Sequence, residues 1–284
     1  MRTLILAFIL LSSNAFAGWS TNYVKDEMRG TQVEVTDIWV EPINGRGPKL
    51  YVSVQKLDGG KGQYGIVFSL DDRHQKIDCE KYCQIALRLD EHLIVEDGFV
   101  STDDGFIMPT YPTSLVRAMS MADNMIIEMP STDGDKYQYR INMSGFDIKI
   151  PANPQFNIAG LTIGSDASTL PVSFTQAKSP NCFEATDVGV GEGSLKIPKV
   201  FTCVVKNKIA SVSFASPKRD VKRFNEFLSK QFGKADKSGE KTYSTIRWPK
   251  NDSLIRKNTV SAFVMADHYY INDDSLRYFE KKSN

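Results

Sequence analysis

The sequence predicts an α+β protein with a β-rich N-terminal domain that contains one helix, followed by an α+β domain in which a helix packs on an antiparallel sheet. Three observations predict this class: most apolar segments alternate with polar residues as strands do, two segments have helical spacing, and opposite net charges divide the chain. With 284 residues, of which 41% are hydrophobic and 24% charged, the composition is that of a globular protein and excludes a disordered polymer.

The first half is predicted to be mostly strands. Alternating segments at 33–40, 50–54, 64–70, 83–90, 125–129 and 137–143 are separated by turn residues. One helix interrupts them: Thr110 or a neighbour can cap it, Pro112 suits its first turn, and Leu115, Met119 and Ala122 share one face.

The second half mixes strands with one helix. Segments 200–205 and 209–214 flank the residues 206–208 as a hairpin. A helix then begins near Ser216-Pro217 and ends at Gly233, and strands follow at 243–248, 253–257 and 260–271. The buried face of this helix is predicted to consist of Val221, Phe224, Phe227, Leu228 and Phe232.

Charge and proline place the boundary between the halves near residues 150–156. Residues 18–150 carry 14 Lys and Arg against 21 Asp and Glu, a net charge of −7, whereas residues 151–284 carry 20 against 13, a net charge of +7. Pro151 and Pro154 restrict the chain between them to extended or turn conformations, as a linker would. The predicted domains are therefore 18–150 and 151–284.

The N-terminus has the pattern of a signal peptide over residues 1–17. Arg2 precedes an apolar run, Leu4 to Leu11, and Ala15-Phe16-Ala17 matches a cleavage site after Ala17. The run is too short to span a membrane, and no later stretch is long enough. No cysteine begins the mature chain, so a lipoprotein anchor is not expected, and the prediction is a periplasmic protein.

The cysteines agree with export, because thiols pair in oxidising compartments. Four cysteines allow three pairings. Cys79 with Cys83 and Cys182 with Cys203 are favoured, since each pair closes a local loop within one predicted domain. Three residues separate Cys79 from Cys83, rather than the two of exchange catalysts, so a structural role is predicted over a redox role.

Several short motifs of the first half resemble those of invasion-associated locus B-like proteins and of periplasmic proteins encoded with type VI secretion systems. The motifs are Trp19, the Cys79/Cys83 pair before a strand that ends at Asp90, the helix around Leu115, and the segment 143–146, Met-Ser-Gly-Phe. The second half resembles small exported α+β modules of Gram-negative bacteria. Its motifs are Gly160-Leu-Thr-Ile-Gly164, the hairpin, the helix end Phe232-Gly233 and Trp248. These resemblances imply envelope interaction modules and define no catalytic residue.

No motif predicts a catalytic residue, a bound cofactor or a metal site. His74, His92 and His268 lie in different predicted elements, without the spacing of a zinc site. No Gly-x-Ser-x-Gly segment occurs, although a hydrolase with a non-local active site remains the alternative function. The glycine-rich segment 189–193 lacks the Lys-Ser/Thr of a phosphate loop and is interpreted as a flexible loop.

Acidic residues cluster along the first half without the spacing of a twelve-residue calcium loop. They are therefore interpreted as solvated turns. The residues concerned are Asp90, Glu91, Glu96, Asp97, Asp103 and Asp104, with a second acidic turn at Asp133-Gly-Asp135.

One basic group is the candidate partner-binding patch. A solvated face is the ordinary interpretation, but the group can also present positive charge to an acidic protein. It comprises Lys206, Lys208, Lys218, Arg219, Lys222 and Arg223.

The predicted function is that of a periplasmic protein-protein interaction module, of the inhibitor or immunity type or a secretion accessory. Its partner would be another envelope or secreted protein. Nucleic acid is not expected, because the basic group lacks interleaved aromatics. The opposite charges of the halves could instead bind the halves to each other.

Overall fold

Strands dominate this protein, which we describe from a computed structural model. Among the residues that the structure describes, 54% lie in strands and 14% in helices. The described residues are 18–26, 31–57, 63–71, 76–102, 105–148, 157–190, 195–232, 236–238, 245–247, 260–265 and 268–279. The predicted signal peptide, the linker prolines, His74, Gly233, Trp248, the strand 253–257 and most of the glycine-rich loop lie outside them.

The first half forms a nine-stranded antiparallel sheet within the described residues. Its strands are β1 (Ser20–Asp26), β2 (Thr31–Val40), β3 (Leu50–Leu57), β4 (Gln63–Leu70), β5 (Tyr82–Leu89), β6 (Val95–Ser101), β7 (Ile107–Pro109), β8 (Asn124–Pro130) and β9 (Lys136–Asn142). They lie in the order β1-β2-β3-β4-β7-β6-β5-β8-β9. The prediction of a β-rich first half is confirmed.

The alternation seen in the sequence decides which side chains enter the core. Ile85, Leu87 and Leu89 of β5 are buried, whereas Arg88 between them is only half-buried. The sheet curls around this core, as a backbone hydrogen bond between distant strands indicates. The N–H of Ile43, just after β2, donates to the carbonyl of Gln138 in β9 at 2.8 Å. The segment that follows β2 thereby meets β9, the strand at the other end of the order.

One α-helix within the described residues of the first half, α1 (Pro112–Met119), lies inside this curled sheet. All eight of its residues are buried. Thr113 ties the helix to β4, since its Oγ1 accepts from the N–H of Tyr64 at 3.1 Å. The helix begins at Pro112 as predicted, but no side chain caps it, and the Thr110 hydroxyl donates to the Gly98 carbonyl instead.

The second half forms a second antiparallel sheet, of eight strands among the described residues, in the order β12-β13-β14-β15-β19-β18-β17-β16. A two-stranded ribbon, β10 (Asn157–Ile158) and β11 (Leu161–Thr162), precedes it. The strands are β12 (Thr175–Gln176), β13 (Cys182–Val190), β14 (Leu195–Val205), β15 (Lys208–Ala215), β16 (Asp236–Ser238), β17 (Thr245–Arg247), β18 (Val260–Met265) and β19 (His268–Asp273).

One α-helix, α2 (Val221–Phe232), accompanies this second sheet within the described residues. Phe224 and Leu228 are fully buried, and the Phe224 ring lies 5.2 Å from that of Phe214 in β15. The α+β classification needs correction, because the described chain is mainly β, with few helical residues.

Both predicted disulfides are present. Cys79 is bonded to Cys83, and Cys182 to Cys203, which lies directly opposite it on β14. Disulfides fit a chain exported to an oxidising compartment. Among the described residues, no helix combines the length and the apolar character needed to cross a membrane.

The end of the chain returns to the first half. Leu276, Tyr278 and Phe279 form a 3-10 turn after β19, and all three are buried in the core of the first sheet. The division of the chain near residue 150 stays a prediction. A contiguous segment 151–284 would nevertheless have to include residues that complete the core of the other half.

Candidate functional site

An open cleft of about 630 Å³ lies where the first sheet meets the β14–β15 turn of the second half. Charged side chains dominate its lining, and the acidic and basic groups balance. The lining residues are Arg88, Asp90, Glu91, His92, Asp123, Asn124, Ile126, Arg140 and Lys206. This cleft is the candidate functional site.

The floor of the cleft is a row of three residues from adjacent strands. Arg88 of β5 lies opposite Ile126 of β8, which lies opposite Arg140 of β9. Since neighbouring strands are about 4.8 Å apart, the backbones of the two arginines are separated by about 10 Å, with Ile126 midway. Within the described residues, neither arginine forms an ion pair, so both guanidinium groups are available to a ligand.

Asp90 ends the floor and joins the two halves of the chain. Its Oδ1 accepts from the N–H groups of Asp123 at 2.8 Å and Asn124 at 3.0 Å, and its Oδ2 accepts from Lys206 Nζ at 2.9 Å. Its own N–H donates to the Asn124 carbonyl at 2.8 Å. Asp90 has a φ of 50°, a left-handed conformation that aspartate tolerates better than most residues and that is enriched at functional sites.

The environment of Asp90 favours its charged form. Partial burial acts to raise the pKa of this carboxyl, but the Lys206 hydrogen bond and the two backbone N–H groups outweigh it and hold the pKa below its ordinary value. Asp90 is therefore a fixed negative charge at neutral pH, and it neutralises the Lys206 ammonium beside it.

Lys206 forms the wall of the cleft opposite β5. It lies with Asn207 in the two-residue turn between β14 and β15, where both residues have positive φ, as a type I′ turn requires. Its ammonium also lies 5.0 Å from the centre of the Phe279 ring, which meets His92 edge to face at 5.3 Å. The C-terminal segment thus supports the cleft from behind.

A buried network holds that segment in place. Asp97 of β6, 2% exposed, accepts from Arg277 at 2.7 Å and from the Tyr278 hydroxyl. Burial, together with the charge of Asp97, raises the pKa of Tyr278, so its hydroxyl remains a donor. The interpretation of the acidic run as solvated turns is wrong for Asp97. The ion-pair partner of Asp97, Arg277, lies 180 residues away in the sequence, and no local pattern predicts that pairing.

A second buried ion pair links α1 to the end of β19. Arg117 lies 3.7 Å from Asp273, and both side chains are almost fully buried. Burial raises the pKa of Asp273 above its ordinary value, although the charge of Arg117 and two hydrogen bonds from Ser275 act against this. Together the two carboxylates, Asp97 and Asp273, fix the last described residues against the first half.

The structure places the predicted basic patch in two regions. Lys206 lies in the cleft, and Lys208 pairs with Asp166 at 3.7 Å. Lys208 and Ala215 are the ends of β15, so the basic group that follows the strand starts about 23 Å away. That second group is exposed; two of its members pair with Asp220, and it consists of Lys218, Arg219, Lys222 and Arg223.

The cleft lacks the parts of a serine or cysteine nucleophile site. No serine, threonine or cysteine is among its described lining residues. His92 lies in the cleft, and His268 is exposed on β19. Among the residues that the structure describes, no three His, Cys, Asp or Glu side chains are grouped to hold a metal ion.

Comparison of the chain with protein-family models, with curated proteins and with solved structures found no match. The resemblances suggested by Trp19, Cys79/Cys83 and the segment 143–146 therefore stay predictions.

Sequence reasoning named neither Arg88 nor Arg140 as a site residue, and it also missed Asp123 and Asn124. The alternation of each strand indicates that both arginine side chains point away from the core. Which strands become neighbours is decided by long-range pairing, and it is the register of β5, β8 and β9 that brings the two arginines to either side of Ile126.

Proposed function

We propose that this chain is an exported periplasmic protein that acts by binding another envelope or secreted protein, as an inhibitor or immunity-type protein or as an accessory of secretion. The observation that carries the proposal is the pair of arginines, Arg88 and Arg140, which flank Ile126 on the floor of an open cleft and form no ion pair within the described chain. Arginines of this kind, beside an apolar residue, are typical anchors of protein interfaces.

Export is supported by the signal-peptide pattern over residues 1–17 and by the two disulfides. Binding is supported by the composition of the cleft, whose described lining is mostly charged side chains and includes no hydroxyl or thiol side chain. Charge arranged on a preformed surface gives specificity and a fast encounter with a complementary protein.

The test is affinity capture with the oxidised mature chain, from envelope and secreted fractions, washed at low and at high salt and identified by mass spectrometry. A double substitution, Arg88→Glu with Arg140→Glu, is compared with Lys218→Glu and Lys222→Glu on the other basic group. We expect one stoichiometric, salt-sensitive protein that the arginine variant loses and the lysine variant retains.

Loss of that protein only from the lysine variant would move the interface to the start of α2. Capture of no stoichiometric partner by the wild-type chain in either wash would contradict the proposal and favour the hydrolase alternative. In that case, His92→Ala would be assayed against envelope substrates.

A further inference from the structure

The charges of the cleft are separated along the direction of the strands. Arg88 and Arg140 lie in one row across the sheet, and Asp90 follows Arg88 by two residues, or about 7 Å. Glu91 and Asp123 lie just beyond Asp90, because β5 and β8 are antiparallel and the N–H of Asp90 donates to the carbonyl of Asn124. One end of the cleft is therefore basic and the other acidic.

The middle of this array is already neutralised. Asp90 is paired with Lys206, which leaves the two arginines at one end and Glu91 and Asp123 at the other. Glu91 and Asp123 are exposed, and neither forms an ion pair in the described part of the chain. A ligand that carried only negative charge would be attracted by the arginines and repelled by these two carboxylates.

From this layout we infer that the cleft binds an extended peptide segment in which an acidic and a basic residue are separated by one residue. The inference rests on the proposed function, since it names the kind of segment that the protein partner would present. Asp123 precedes Ile126 by three residues, which places it about 10 Å along the strand from the arginine row. In an extended chain, residues two apart point to the same side and lie about 7 Å apart, and the flexible four-carbon side chain of a lysine covers the remaining distance of about 3 Å.

The arginines are placed to bind a single carboxylate together. Each backbone lies about 5 Å to one side of Ile126, within the reach of an arginine side chain. A Glu or Asp side chain above Ile126 would accept from both guanidinium groups, which bind carboxylates in a fork geometry. The basic residue two positions along would then lie near Glu91 and Asp123.

The test uses the full oxidised mature chain and four fluorescein-labelled peptides in a Gly/Ser background. Their central residues are Glu-Ser-Lys, Glu-Ser-Glu, Lys-Ser-Lys and Glu-Lys, the last with the two charges adjacent and so on opposite sides of an extended chain. Fluorescence anisotropy at low salt measures each Kd. We expect the Glu-Ser-Lys peptide to bind at least about tenfold more tightly than the other three.

Protein variants locate the binding. Arg88→Gln with Arg140→Gln should weaken Glu-Ser-Lys binding about tenfold or more, and Glu91→Gln with Asp123→Asn should abolish its advantage over Glu-Ser-Glu. Lys222→Gln, on the exposed side of α2, is the matched control and should leave every Kd unchanged. Circular dichroism and the urea midpoint confirm that each variant is folded.

Two results would overturn the inference. If Glu-Ser-Glu bound as tightly as Glu-Ser-Lys or more tightly, the cleft would be a simple anion site. If the Glu-Lys peptide bound as tightly as Glu-Ser-Lys, the spacing of the two charges would not matter. If no peptide binds while the arginine variant still loses the captured partner, the inference fails and the proposed function stands. If the wild-type chain captures no partner, the proposed function itself fails.

Discussion

Asp97 and Tyr278 share a hydrogen bond in the core of the first sheet, although 181 residues separate them in the chain. Arg277 donates to the same carboxylate, and the Gly98 N–H donates to it as well. A negative charge this deeply buried persists only when its oxygens are satisfied. The Asp97 site therefore requires Arg277 and Tyr278 to be in place.

Loss of Tyr278 or Asp97 is expected to destabilise the protein by different amounts. Tyr278→Phe removes one of the donors and should lower the free energy of unfolding by about 1–2 kcal/mol. Asp97→Ala leaves Arg277 without its carboxylate and should cost about 3–5 kcal/mol. Urea unfolding measures both, with the exposed Tyr23→Phe as the control that should not change the midpoint. Equal effects of all three substitutions would contradict the network.

A fragment of residues 18–150 is expected to be unstable despite its nine-stranded sheet. It lacks Leu276, Tyr278 and Phe279, whose burial contributes about 1.5–3 kcal/mol each. That sum is comparable to the whole stability of an ordinary domain. The fragment should bind a dye for exposed apolar surface, and a peptide of residues 268–279 should reduce that binding. If the fragment unfolded at the same urea concentration as the first half does within the full chain, the segment Leu276–Phe279 would contribute nothing to the stability of that half.

The Asp90–Lys206 pair should make stability fall at acid pH. The folded pKa of Asp90 lies below its ordinary value of 3.8, so its contribution is present above that value and is lost as the pH falls through the folded pKa. At pH 7, Asp90→Asn should lower the free energy of unfolding by about 1–2 kcal/mol. Urea unfolding at pH 7, 5, 4 and 3 should show this difference shrinking below pH 4. Lys206→Gln should reduce the same pH dependence. If the difference in free energy of unfolding between the wild type and Asp90→Asn grew at low pH, a stabilising Asp90–Lys206 pair would be contradicted.

The two disulfides should differ in what they contribute. Cys182 and Cys203 are 21 residues apart, whereas Cys79 and Cys83 are four apart. In the chain-entropy account, the longer loop is worth about 3 kcal/mol and the shorter about 2 kcal/mol. Replacing each pair by serines and measuring urea unfolding should give the larger loss for Cys182 and Cys203. The reverse order would indicate that local packing around Cys79, which is buried, outweighs loop length.

Local patterns were sufficient for much of the secondary structure. The alternation in β5 and β9, the start of α1 at Pro112 and the buried Phe224 and Leu228 of α2 all follow from residue spacing. These features depend on neighbours within a few residues, so they can be predicted from one chain. The pairing of the cysteines also followed, because each bond closes a short loop.

The α+β class was confirmed only in part, because the described chain is mainly β and several of its strands were not predicted. Segments as short as β7 and β10 carry almost no periodic signal, and they become strands only because a neighbouring strand satisfies their backbone groups. The interpretation of Asp97 as solvated was wrong for a related reason. Its exposure was decided by a segment 180 residues further along the chain.

By itself, the sequence predicted many of the strands, both α-helices, the apolar faces of several elements, the favoured cysteine pairing and a signal-peptide pattern at the N-terminus. Only the tertiary structure decided that Arg88 and Arg140 flank Ile126 and that Lys206 meets Asp90. It also decided that the segment Leu276–Phe279 enters the first core. The physical reason is the large sequence separation of the contacts that decide these features. Strand register and the burial of distant segments are set by contacts between residues far apart in sequence, and no local pattern encodes which of those contacts has the lowest free energy.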